Sequence, residues 1–159
     1  MDLAALFPWL LFLHVFGAIL AFGPTYAYSI MGAMAGREPQ HANFSSRQVA
    51  KIGSSLVYPL AILQGVTGLG LIASGRFDLM STRWLMLGIG LYVIALVYAL
   101  TVQKNALHRV IELGSGPMTP GSPPPPELLA TVKKIQRGGM LLGALVAIIV
   151  FLMVVKPTF

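Results

Sequence analysis

Few side chains in this 159-residue chain could do chemistry in apolar surroundings, and His14 is the first of them. No charged residue lies between Asp2 and Arg37. An imidazole in such a stretch is costly to bury and points to a role. Neutral imidazole ligates metals and carries protons. It also hydrogen-bonds between helices, so three uses are open: cofactor ligation, proton relay and an interhelical bond. At helical spacing His14 shares a face with the small residues Gly17, Ala18, Ala21 and Thr25, which leaves room for a planar ligand or another helix. Gln64 and Thr67 are three apart and share a face of a second apolar segment. Met86 in a third segment offers a thioether as a possible axial ligand. Counting residues from the segment ends puts His14, Gln64, Thr67 and Met86 at similar depth, which predicts a pocket lined by these four and several glycines. The five tyrosines suit either an aromatic lining or the membrane interface. His41 and His108 belong to polar loops at the opposite end, a membrane thickness from His14.

Other chemistry is excluded by composition. Without cysteine there are no disulfides, thiolate metal sites, iron–sulfur clusters or covalently attached c-type haem. No two acids lie inside an apolar run, so a carboxylate proton path is absent. Gly65-x-x-Gly68-x-Gly70 falls within an apolar run, where a nucleotide loop has no structural context.

The elements that must position His14 are set by where charge is missing. All sixteen charged residues lie outside four apolar runs, residues 3–36, 54–75, 84–103 and 138–155. The chain is 56% hydrophobic and 10% charged, with a mean hydropathy of +0.78. About 20 apolar residues in helical form cross a hydrocarbon core of roughly 30 Å. The fold class is therefore all-α: a single integral-membrane domain, 1–159, forming a four-helix transmembrane bundle with spans near 8–34, 54–75, 84–103 and 138–155. Pro8 suits a first helical turn and Pro24 should kink or loosen helix 1. Ser45 with Gln48 predicts a capping box opening helix 2 near Ser46. Helix 3 should run on past the membrane through Lys104, His108, Arg109 and Glu112. Residues 114–126 read as a flexible Pro/Gly linker, the most mobile stretch, and helix 4 should begin near Glu127. The first segment lacks the positive region of a signal peptide and should be retained.

Eight Lys/Arg (Arg37, Arg47, Lys51, Lys104, Arg109, Lys133, Lys134, Arg137) fall on one side and three (Arg76, Arg83, Lys156) on the other. The positive-inside rule makes the first side cytoplasmic, giving N-out and C-out termini in a bacterial inner membrane. The net charge of +6 then reads as loops facing anionic headgroups, and nucleic acid is not a partner. The partners are the lipid bilayer and a membrane protein or second copy. Packing faces would be Gly32/Gly36, Gly139/Gly143 and the stripe Ala61, Gly65, Gly68.

Leu13-His14-Val15-Phe16-Gly17-Ala18 resembles the first helix of the bacterial HemJ-type protoporphyrinogen oxidases and their CopD-like and uncharacterised membrane relatives. Tyr58-Pro59 with Gly65-Val66-Thr67-Gly68-Leu69 resembles their second helix, and Arg83-Trp84-Leu85 the start of their third. The ending Val154-Val155-Lys156-Pro157-Thr158-Phe159 is similar to theirs. The resemblance implies an intramembrane haem or porphyrin site, with haem b as cofactor and His14 as ligand. The HemJ-type enzymes carry a lysine shortly after the Trp-Leu pair; Trp84-Leu85-Met86-Leu87-Gly88-Ile89 has none, and oxidase activity is not carried over. Two functional classes follow: a haem-associated redox or haem-handling protein, and a non-catalytic subunit or scaffold of a larger membrane complex.

Overall fold

The computed structural model describes residues 3–75, 82–116 and 123–158. Within them the chain forms four long helices and no strand. Helix α1 is Leu3–Arg37, α2 is Pro39–Gly75, α3 is Arg83–Leu113 and α4 is Pro126–Val155. The lengths of 35, 37, 31 and 30 residues correspond to about 45–55 Å at 1.5 Å per residue, longer than the membrane core. Each helix contains a stretch long and apolar enough to span, and the polar ends project beyond it.

Local chemistry explains most helix ends. α1 is helical straight through Pro24. The Thr25 hydroxyl next to it donates to the Phe22 carbonyl at 2.6 Å, satisfying its own hydrogen bond within the helix. α2 starts earlier than expected, with a 3₁₀ turn at Pro39–His41 followed by Ala42. The expected Ser45/Gln48 capping box does not form: His41 is the cap residue and has no side-chain capping bond. Gly75 ends α2 as expected. α4 opens with Pro126 and Glu127, a proline at a position needing no amide bond and an acid at the positive end of the helix dipole. It ends at Lys156, which adopts the left-handed conformation with φ 48°. Most of the short second loop, 76–81, and the middle of the linker, 117–122, with its expected mobility, lie outside the described residues.

Two features have no counterpart in the sequence reading. α2 widens into a π segment at Gly53–Val57, and α3 does the same at Ala99–Gln103. The Ser54 hydroxyl donates to the Lys51 carbonyl at 3.1 Å, and that of Thr101 to the Val97 carbonyl at 2.6 Å. Hydroxyls that compete for backbone carbonyls in this way bend and loosen a helix. Both segments sit where the apolar runs meet the cation-rich end.

The helices neighbour one another in a ring, α1–α2–α3–α4, with α1 packed most extensively on α2 and α3 on α4. The buried interior is built largely of small residues, among them Ala21, Ala61, Ala95, Gly17, Gly88 and Gly138. Large apolar side chains such as Phe12, Ile19, Leu69 and Val154 point outward, as acyl-chain solvation allows. Polar crosslinks tie the ring. The Tyr92 hydroxyl donates to the Ala61 carbonyl at 2.7 Å, α3 to α2. Gln103 Nε2 donates to the Ile135 carbonyl at 3.0 Å, α3 to α4, and Asn43 Nδ2 to the Ile111 carbonyl at 2.9 Å, α2 to α3. At the opposite end the Lys156 ammonium lies 5.7 Å from the Trp84 ring centroid, a cation–π contact joining α4 to α3.

The packing faces differ in part from expectation. Ala61, Gly65 and Gly68 do form a close-approach stripe, with Gly65 against Tyr92 and Gly68 against His14. Gly32 and Gly36 are exposed, and a Cβ at either would meet nothing within 4 Å. On α4 the buried glycine is Gly138, one residue before the expected pair.

Candidate functional site

His14 sits about three turns into α1, facing α2. Its Nδ1 lies 2.9 Å from the Thr67 hydroxyl oxygen. That hydroxyl is itself 3.1 Å from the carbonyls of Leu63 and Gln64, the usual acceptors for a threonine inside a helix. A hydroxyl has one proton. Donated to the backbone, it leaves Thr67 Oγ1 as acceptor, and Nδ1–H of His14 as donor. In that arrangement the ring proton sits on Nδ1 and the lone pair on Nε2.

The neighbours are small so that the ring can lie close. A Cβ at Gly68 would stand 3.3 Å from His14 Cε1, and one at Gly17 would stand 3.2 Å from Gln64 Oε1. Gln64 is 8% exposed and Thr67 5%, so both are turned into the α1–α2 contact. Gln64 Oε1 is buried without a hydrogen-bond partner among the described residues. An orphaned acceptor beside His14 calls for a donor from a bound water or an N–H- or O–H-bearing ligand.

The structure thus brings together three of the four residues singled out by the sequence: His14, Gln64 and Thr67. Met86 is not among them. It is 50% exposed on the outward face of α3, whereas Leu85 and Gly88 are the buried residues nearby. A Cβ at Gly88 would meet the Met153 methyl at 2.5 Å, so the thioether turned into the bundle belongs to α4. Tyr92 is bound to the Ala61 carbonyl, Tyr28 has a buried hydroxyl with no partner among the described residues, and Tyr26 is 53% exposed. These tyrosines do not form one lining. His41 and His108 are both exposed at the cation-rich end.

The donor set limits what could bind. Among the described residues no three His, Asp or Glu side chains converge as a metal cage would require. A lone imidazole with a free Nε2 suits a metal whose other ligands come from a macrocycle.

No curated protein and no solved structure matches this chain. Residues 8–157 match the family described as predicted integral membrane protein (DUF2269). With four helices able to span a bilayer and a family match running from the first span to the last, the chain belongs to that family of integral membrane proteins.

Proposed function

We propose that this protein binds haem b, or a related porphyrin, through His14 Nε2 in the membrane of a bacterial cell, as a haem-associated redox or haem-handling protein. The observation that carries the reading is the hydrogen bond between His14 Nδ1 and Thr67, because such a partner orients an imidazole and leaves its other nitrogen for a ligand. Three further points support it. Among the described residues no other His, Asp or Glu groups with His14, Gln64 Oε1 is buried without a partner, and residues 13–18 resemble the helix 1 motif of HemJ-type proteins. When bound, haem would supply one-electron chemistry. The chain's part is to hold the ring by Thr67, exclude water with the small residues of α1 and α2, and present one nitrogen. No reaction is assigned, since α3 carries no lysine or histidine within its span.

The competing reading is a non-catalytic membrane subunit in which the His14–Thr67 bond only joins α1 to α2. Gly32 and Gly36, exposed and uncovered by the chain's own helices, favour it as a face for another membrane protein or a second copy. An ultraviolet–visible spectrum of detergent-purified protein, as isolated and after addition of hemin, separates the two. Haem ligation gives a Soret band that is lost in His14→Ala and kept in His41→Ala and His108→Ala. A colourless wild type that takes up no hemin sinks the haem reading. Co-purification with a larger membrane complex would then support the subunit.

A further inference from the structure

The cation-rich end contains a cleft of about 240 Å³ between α2 and α3, remote from His14. Arg47, Lys51, Ser54 and Tyr58 line it from α2, Lys104 and His108 from α3. Spacing puts these residues on one stripe of each helix: 47, 51, 54 and 58 on α2, and 104 and 108 on α3. Arg47 and Lys51 are like charges at i,i+4, and Lys104 faces them from the neighbouring helix. All three are exposed, and like charges at this spacing weaken the packing modestly, a repulsion that a bound anion would relieve.

Nothing negative in the described chain does so. Among the described residues the ion pairs are those of Arg109 with Glu112 at 3.2 Å and with Glu127 at 2.7 Å. Arg109 lines a different depression with Thr131 and Lys134, so both acids are held away from the cleft. The two π segments frame the floor: Ser54 lies in the π segment of α2, and Lys104 directly follows that of α3. One widened turn in each helix rotates the residues beyond it relative to the span, and such bulges recur at functional sites. Leu107 and Ile111 give the cleft an apolar wall beside its cations.

We infer that this cleft binds a phosphate group at the membrane surface, held by Arg47, Lys51 and Lys104. The apolar wall and the position at the end of the spans suit the headgroup of an anionic phospholipid. A soluble phosphate compound shares the same chemistry. The inference does not depend on haem binding.

The test uses the full chain, purified in neutral detergent and freed of lipid. Native mass spectrometry measures binding of short-chain phosphatidylglycerol, of diacylglycerol with the same chains, and of inorganic phosphate as competitor. Arg47→Gln/Lys51→Gln/Lys104→Gln should weaken phosphatidylglycerol binding at least tenfold. Lys133→Gln/Lys134→Gln/Arg137→Gln removes the same charge from α4 and should change it less than twofold. If the cleft triple variant does not fold, Lys104→Gln alone should weaken binding at least threefold. Phosphatidylglycerol binding that resists phosphate identifies a lipid headgroup, and competition at similar concentrations identifies a soluble phosphate compound. Equal weakening by the α4 set, equal binding of diacylglycerol, or no binding of either phosphate probe overturns the inference.

Discussion

Replacing Thr67 with valine keeps nearly the same shape in the α1–α2 contact and removes the acceptor that holds the His14 ring. Loss of such a supporting partner weakens metal ligation by about 10–100-fold. Hemin titration of Thr67→Val should show a drop of that size, while His14→Ala abolishes the band. Unchanged hemin affinity in Thr67→Val would mean that the hydroxyl does not set the ring's tautomer. The sequence made His14, Gln64 and Thr67 readable as one group because all three are polar, in apolar helices, at matching depth. Met86 could not be placed in the same way. In a helix that is apolar all round, lipid and core attract the same side chains, so the pattern does not mark the inward face.

At the level of helix against helix, glycines decide how closely two backbones approach. A Cβ at Gly65 would stand 2.7 Å from the Tyr92 hydroxyl and displace it from the Ala61 carbonyl. Gly65→Ala should lower stability in detergent by about 1–3 kcal/mol, the range for overpacking. Much of that loss should vanish in a Tyr92→Phe background, where the clashing oxygen is gone; additive effects in thermal unfolding would contradict the contact. Gly138 is the tighter case. A Cβ there would overlap Gln103 Oε1 and stand 2.7 Å from the Tyr98 hydroxyl, where α3 bonds the Ile135 carbonyl of α4. Gly138→Ala should therefore lower the melting temperature clearly, whereas Gly32→Ala, with nothing within 4 Å, should leave the monomer unchanged. Which glycines pack was not legible, because small-xxx-small spacing is the same on a helix's inner and outer faces.

For the whole molecule, eight Lys/Arg at one end against three at the other predict that the α1–α2 and α3–α4 connections face the cytoplasm. The absence of cysteine makes this directly measurable. His41→Cys and Thr158→Cys, both at exposed positions, should label from opposite sides of right-side-out vesicles: Thr158→Cys by an impermeant maleimide at once, His41→Cys only after lysis. The reverse pattern would invert the topology and place the Arg47–Lys51–Lys104 cleft on the outer surface.

The number of helices able to span a bilayer and the helical continuation of α3 to Leu113 were legible from residue type alone. Acyl chains hydrate nothing, so ionic groups must lie outside four sufficiently long apolar runs, and every backbone amide in between must bond within its own helix. Tertiary structure alone decided the rotation of each helix, the inward turn of Met153 rather than Met86, and the glycines at the contacts. It also converted Arg47, Lys51 and Lys104 from separate loop anchors into the walls of one cleft. The reason is the same throughout: inside lipid, apolar pattern no longer separates inside from outside, and close packing between particular side chains does.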